Sequence, residues 1–585
     1  MKDQTVLPSQ GKPWLKYFPP EHVGKPMPQG SIYAYLKENA EEGPDYTSIH
    51  YYGFELNCQQ LVEQIDRCAD AFYGLGVRPG DVVSVCSVAI PETIYSIYAL
   101  NKLGAVANMI DPRMDVESLR RIVDEAESSV IVIIDQAFTK LWRVLPDLEL
   151  KHVIVESPSD SLPLLARTAL NLNKDIKDIR NAIPYGDGII SWKQFMRYAE
   201  GQRCVSAPVA PGDTAAITYT GGTTGTPKGV EITNLGLNSV AFSLIHAGIA
   251  HKKGDVFLDI IPVFTSYGIA VGMHTALCAR LKNVLIPKFA PENLPKLIKR
   301  YRPQIMIGVP AFYEILTRSP EMKGLDMSFA TMYISGGDTM NLSLERRLNE
   351  WFKGSGSLYP FSQGYGMSEV TSVAAFSLYN ISREGSSGIP LLAATVSIFE
   401  PGTMNELPFG QQGEVCISGP TLMARYFRKP DETENVLRTH PDGRVWVHSG
   451  DIGWMDEDGF LYIVGRIKHI IVRFDGHKIF PIQIENMVTR HEKVAECAVI
   501  SIPDLDHGFG DYPLVIAVPS KAAANMDRAA LRSELMAYCN EKLEERGRPA
   551  DIVFIDEMPL NSMGKVDHMC LKEQFGDHDY RTAQK

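Results

Sequence analysis

The stretch ITYTGGTTGTPKGVEIT (residues 217–233) is apolar at both ends and holds four glycines, a string of threonines, one proline and one lysine. Glycine lets backbone amides approach a ligand closely, threonine hydroxyls donate hydrogen bonds, and Lys228 adds a point charge, so the run has the makings of a phosphate-holding loop. It is not a Walker A loop. That motif needs GxxxxGK followed by Ser or Thr and opening into a helix, whereas Pro227 stands here at the second glycine and Gly229 at the hydroxyl residue. The following KGVEIT alternates as a strand does, so the loop is expected to join two strands, with Asn234 capping the next helix. A flexible Gly/Ser linker rarely carries so many threonines and a proline.

Outward from the loop, DVVSVCSV (81–88) and SVIVIID (129–135) are short, β-branched and nearly all apolar, as buried strands are. Between them a run opening at Pro91 carries Ile94, Ile97, Tyr98 and Leu103 at helical spacing. Strand, helix and strand in alternation predict a layered α/β protein. A chain of 585 residues exceeds one hydrophobic core. Three regions are expected: a polar leader over 1–30, a large domain over 31–467 and a small one over 468–585. The texture changes near Gly465, beyond which AECAVISIPD, RAALRSELMAYCNEKL and DIVFID read as a βαβ-like unit. Residues 157–190 form a polar insertion in which SLPLLARTALNLNK reads as a short surface helix.

The formal net charge of −12 argues against a face that collects polyanions, so no nucleic-acid partner is expected. Nine cysteines lie scattered, with no CxxC and no Cys/His cluster at metal spacing, as in a reducing compartment. The N-terminus lacks an apolar signal core, and no run approaches the roughly 18 apolar residues of a membrane span. A cytoplasmic protein without an integral membrane segment is expected.

Five motifs occur in order: YTGGTTGTPKGV (219–230), YGMSE (365–369), GEVCISGP (413–420), HSGDIGWMDEDGFLYIVGRIKHIIVRFDGHKIFP (448–481) and PLNSMGKVD (559–567). Together they resemble the adenylate-forming, acyl-activating enzyme superfamily, of the AMP-dependent acyl-CoA synthetase type, from about residue 30 to about residue 575. The resemblance implies a large multi-lobed N-terminal domain of β-sheets flanked by helices, a small mobile α+β C-terminal domain, and an active site between them. It implies an ATP-dependent acid:CoA ligase that uses ATP, Mg2+ and coenzyme A, forming an acyl-AMP with release of pyrophosphate and then a thioester.

Residue by residue, the resemblance assigns Thr220, Gly221, Gly222, Thr223, Thr224, Gly225, Thr226 and Lys228 to the β- and γ-phosphates. Glu369 becomes the magnesium ligand, with Thr224 nearby. Tyr365 packs on adenine, Asp451 accepts from the ribose hydroxyls beside Arg466, and Gly336, Gly337, Gly366, Met367, Ser368 and Ile463 border the nucleotide. Lys565 bridges the attacking carboxylate and the α-phosphate. Lys468 is the hinge about which the small domain turns, withdrawing Lys565 and presenting Gly476 beside a pantetheine tunnel.

The acyl pocket implied by resemblance is lined by Thr265, Tyr267, Gly268, Gly272, Met273 and Val309 with Gly336 and Gly337. It offers no lysine or arginine for a second carboxylate. The Asp of the peptide-synthetase FDxS motif is missing from FTSY, which disfavours amino acids. A medium- or long-chain fatty acid is favoured over an aromatic one. Two other readings stay open: a stand-alone adenylating enzyme that loads an acyl carrier protein, and a noncatalytic nucleotide-binding homologue, against which the intact Glu369 and Lys565 speak. The chain departs from the family pattern at Thr265, usually histidine, at Asp338, at His469, usually acidic, and at Gln483, usually glutamate.

Overall fold

The computed structural model describes residues 6–163, 167–168, 174–220, 227–249, 251–338, 340–378, 381–523, 525–560 and 566–581. Two large, mostly parallel sheets dominate. The first orders its strands as Ile189–Ser191, His152–Glu156, Val130–Ile134, Val82–Cys86, Val106–Ile110, Thr214–Tyr219 and Gly229–Thr233. All neighbours are parallel except the final pair, which is antiparallel and encloses the phosphate loop. Val130–Ile134 is buried at every position, as its continuous apolar run requires of a strand covered on both faces. The helix Pro91–Lys102, opened by proline at its first turn, is buried along its whole length.

In the second sheet, Thr47–Tyr51, Lys282–Leu285, Val256–Asp259, Ile305–Gly308, Met332–Ser335 and Ser362–Tyr365 run parallel in that order, extended at either end by antiparallel partners. Ligands of such sheets bind outside the carboxyl ends of the strands. Gly308–Val309, Ser335–Gly336–Gly337 and Tyr365–Gly366 all fall at those ends. A third, antiparallel sheet pairs the long strand Val445–Met455 with Gly413–Ser418, Leu437–Thr439 and Leu461–Arg466.

The C-terminal region has apolar clusters of its own, around Ile484, Val499, Val515 and Leu531 and around Ile500, Leu514 and Leu571. Its βαβ unit differs from the sequence expectation. Val494–Pro503 turns back antiparallel into Asp511–Pro519, and this second strand, through the helix Arg528–Lys542, pairs in parallel with Asp551–Phe554. Gly508 and Gly510, both at positive φ, make the reversal feasible.

Two further local expectations change. The cap of the helix Asn234–Ile245 is Thr233, whose Oγ1 accepts from Gly236 N at 2.9 Å. Asn234 turns inward instead, its Oδ1 accepting from Ile32 N and Asn101 Nδ2. The leader, from residue 6 onward, is docked: Trp14 is fully buried against Gly459, Ser9 donates to Glu406, and Lys16 pairs with Asp458 at 2.5 Å. Part of the 157–190 insertion lies outside the described residues. Among the described residues, no helix is long and apolar enough to cross a membrane.

Candidate active site

The end of the strand Ser362–Tyr365 meets the antiparallel pair Val445–Met455 and Leu461–Arg466, in which Asp451 lies opposite Arg466. Three residues that sequence reasoning placed around ribose and adenine come together here. Tyr365 Oη donates to Asp451 Oδ2 at 2.7 Å, and Arg466 Nε lies 2.9 Å from Asp451 Oδ1. Burial, and after it the Asp451 carboxylate, pushes the Tyr365 phenol well above its usual range, so it stays a donor. The Asp451 charge likewise raises Arg466.

The bend that carries Asp451 is held from behind. Glu414 Oε1 accepts from Gly450 N at 3.0 Å and its Oε2 lies 2.9 Å from His448 Nδ1, while His448 Nε2 meets His440 Nε2 at 2.9 Å. Cys416 Sγ, 3.6 Å from His448 Nδ1, completes a buried cluster that linear spacing hides. Both nitrogens of His448 are already hydrogen-bonded, so the cluster has a structural explanation as a prop for the Ser449–Asp451 bend.

Glu369 sits in the short 3₁₀ turn Ser368–Val370, directly followed by Thr371 and Ser372 at φ 54° and 86°. Left-handed backbone at two successive non-glycine residues is strained, and such strain persists where surrounding contacts fix it. Here Thr371 Oγ1 donates to Thr421 O at 2.7 Å and Met423 N donates to Glu369 O at 2.9 Å. Gly366 allows the close approach, because a Cβ there would lie 1.7 Å from Ser372 O.

The chain then runs from Met423 along the free edge of the strand Gly229–Thr233. Ala424 N donates to Glu231 O, Glu231 N to Arg425 O, and Phe427 N to Gly229 O. This pairing sets Tyr426 between Lys228 and YGMSE: its hydroxyl donates to Glu369 Oε1 at 2.5 Å, and the Lys228 ammonium lies 4.6 Å from its ring centroid. Lys228 Nζ also pairs with Glu432 Oε2 at 3.1 Å. Tyr426 and Glu432 were not singled out from sequence, because nothing in RYFRKPDET signals a partner some 200 residues away in the chain.

Thr220 N donates to Lys228 O at 3.0 Å and closes the base of the phosphate loop. Gly221, Gly222, Thr223, Thr224, Gly225 and Thr226 lie outside the described residues. The donor set around Glu369 suits a hard divalent cation: a buried carboxylate, with Oε1 fixed by a phenol, beside a lysine for phosphate. Ser368 Oγ lies 3.0 Å from Ser266 Oγ, tying this turn to the pocket segment. Met367, extended, leads into the Glu369 turn, and Ile463 lies opposite Gly453 on the ribose-side strands.

In the expected acyl pocket, a Cβ on Gly336 would stand 3.4 Å from Tyr267 Oη, and one on Gly337 would stand 3.9 Å from Val309 Cγ1, so these four residues converge. Met273 is buried on the π-helix Gly268–Thr275. Thr265 does different work: its Oγ1 donates to Pro262 O at 2.8 Å and accepts from Gly268 N at 3.0 Å, capping that helix. Gly268 permits backbone contact, since a Cβ there would meet Pro262 O at 2.1 Å. Behind the helix Asp259 is buried against Gly272, and burial raises its carboxyl to about 7.

On the C-terminal side, Lys565 lies outside the described residues, but the stem of its loop is closed by Asp567 N donating to Pro559 O at 2.8 Å. Lys468 is exposed in the turn Ile467–His469. The next residue, His469, faces His568 with ring centroids 5.0 Å apart, so the segment around Lys468 touches the chain just beyond Asp567. Burial, then the neighbouring His568, holds His469 down to about 4. Gly476, at φ 76°, turns the hairpin between Ile471–Val472 and Lys478–Ile479.

Comparison with known proteins gives the family and the fold. The family described as AMP-binding enzyme matches residues 36–427, and the AMP-binding enzyme C-terminal domain matches residues 483–565. The chain is 28% identical over 574 residues to a long-chain-fatty-acid–CoA ligase of Bacillus subtilis, covering 97% of this chain and 99% of that one. It is 26% identical to a probable 4-coumarate–CoA ligase of Dictyostelium discoideum, over 89% of this chain and 90% of the relative. The ATP-bound crystal structure of MatB from Rhodopseudomonas palustris superposes with a TM-score of 0.79 at 24% identity, covering 94% of this chain and 99% of MatB, which establishes the fold.

Proposed function

Since the chain belongs to the AMP-binding enzyme family, we propose that it is an ATP-dependent acid:CoA ligase, activating an apolar carboxylic acid as acyl-AMP and passing the acyl group to the thiol of coenzyme A. The observation that carries this reading is the pairing of two corners through the YGMSE segment, which starts at the end of the strand Ser362–Tyr365 and reaches Tyr426 at Glu369. One is a ribose-directed carboxylate fixed between Tyr365 and Arg466; the other is a phosphate-directed lysine linked through Tyr426 to the Glu369 carboxylate. In the reaction a carboxylate attacks the α-phosphorus and pyrophosphate leaves, so two anions must meet while charge grows on phosphoryl oxygens.

Lys228, with Thr220 and the loop that follows, would hold the β- and γ-phosphates. Glu369, with Thr224, would hold Mg2+, which supplies Lewis-acid neutralisation of phosphate charge. Asp451 and Arg466 orient the sugar and Tyr365 borders adenine. Lys565 would reach the carboxylate and the α-phosphate from a small domain beginning near Lys468. Rotation there would withdraw it and bring Gly476 to the thiol's approach.

Tyr267, Val309, Gly336 and Gly337 are apolar, small or neutral, which favours a fatty acid of medium or long chain, as does the name of the Bacillus relative. The test is pyrophosphate release across fatty, aromatic and amino acids, with and without CoA. Fatty-acid-dependent release coupled to CoA consumption supports the reading. Release without use of free CoA would point to a carrier-protein loader, preference for coumarate or benzoate to an aryl-CoA ligase, and no release with any acid would overturn catalysis.

A further inference from the structure

The Lys228–Glu432 pair would pass for an ordinary surface ion pair but for its surroundings. The lysine side chain is only 21% exposed, and its ammonium lies against the ring of Tyr426, whose hydroxyl is bound to Glu369. The segment supplying Glu432 is also fixed. Residues 424–427 are stitched to the strand Gly229–Thr233, Tyr426 N donates to Thr433 Oγ1 at 2.9 Å, and Thr433 Oγ1 donates to Lys429 O at 2.8 Å. One short stretch of chain therefore places a carboxylate on the phosphate-directed lysine and a phenol on the metal-directed carboxylate.

We infer that Glu432 is a positioning residue for Lys228, so that ATP enters the phosphate corner by displacing one anionic partner of the lysine with another. The inference rests on the ATP-dependent reading above. Its physical content is a sign. With the triphosphate bound, Glu432 either loses its cation or stays as a negative charge beside a polyanion; both weaken nucleotide and pyrophosphate binding relative to a neutral side chain. The carboxylate gives something in return. It holds the lysine within the site, and once pyrophosphate has formed it competes again for the same ammonium and speeds release.

The test is binding of ATP and of inorganic pyrophosphate to the full-length protein by calorimetry, with and without Mg2+, alongside steady-state kinetics, for wild type, Glu432→Gln and Glu432→Asp. Removing the charge is expected to tighten both ligands about two- to fivefold, to lower KM for ATP and the inhibition constant of pyrophosphate by a like factor, and to leave kcat equal or lower. Glu432→Asp, which keeps the charge, is expected to move less than half as far. Unchanged or weaker binding in Glu432→Gln, with wild type binding ATP normally, overturns this inference and leaves the functional reading standing. Failure of wild type to bind either ATP or pyrophosphate overturns both. A merely structural role for Glu432 would raise KM rather than lower it.

Discussion

The two corners of the proposed nucleotide site are prepared differently. At the ribose-directed corner, Asp451 is held by Tyr365 and Arg466 and propped from behind by Glu414 and His448, so its fixed partners come from the protein itself. At the proposed phosphate corner Lys228 and Glu369 are also engaged, but by Glu432 and Tyr426, and Glu432 is an anion on the lysine proposed to meet phosphate. The first corner is pre-organised and binding there adds hydrogen bonds. The second exchanges partners, so its affinity is a difference between two ionic arrangements.

That contrast predicts opposite signs, and the largest effect belongs to the ribose corner. Asp451→Ala removes the acceptor of a buried phenol and the partner of a guanidinium. It is expected to lower kcat/KM for ATP about 100-fold or more, roughly 3 kcal/mol, mostly through KM. A KM that falls would erase the distinction, because Glu432→Gln is expected to lower it.

Tyr426→Phe comes next, and sharpens the contrast by separating the metal-directed carboxylate from the lysine. It keeps the ring beneath Lys228 and removes the hydrogen bond to Glu369, so kcat is expected to fall about tenfold, near 1.4 kcal/mol, with KM for ATP little changed. A loss confined to KM would place Tyr426 with the lysine alone.

The smallest effect on turnover lies behind the acyl segment, where a change in stability rather than activity serves as a control outside both corners. Asp259 has an oxygen without a partner, and its carboxyl is raised to about 7 by burial, against an ordinary value near 4 when unfolded. The native state therefore holds a proton that the unfolded chain gives up. The penalty is absent below about pH 4, grows as pH rises toward 7 and is constant above it. Asp259→Asn is expected to raise the unfolding temperature more at pH 8 than at pH 5, by a stabilisation on the order of 2 kcal/mol. An equal shift at both pH values would show that Asp259 ionises normally.

Much of the ribose corner was legible in the sequence. HSGD, GR and YGMSE are local patterns, and the Asp451, Arg466 and Tyr365 that they single out meet in the structure. The strands were legible for the same reason: continuous β-branched runs such as VIVII stand out without partners. What escaped was long-range pairing. Tyr426 and Glu432 reach Lys228 only because residues 424–427 extend a strand formed two hundred residues earlier, and Glu414, Cys416, His440 and His448 cluster only once their strands are side by side. Trp14, in a leader that reads as polar, is buried by a surface the leader does not encode. The Thr233 cap was missed by one position, because Thr and Asn both cap well and a buried partner, Ile32 N, decided between them.

The proposal as a whole depends on charge brought from the C-terminal region to the α-phosphate. The direct measurement is acid-dependent pyrophosphate release by Lys565→Ala beside wild type, at saturating ATP, Mg2+ and fatty acid, with ATP binding measured on the same samples. The expected result is a fall of about 100-fold or more in release with ATP affinity preserved. Release at the wild-type rate would contradict the adenylation chemistry assigned to this site.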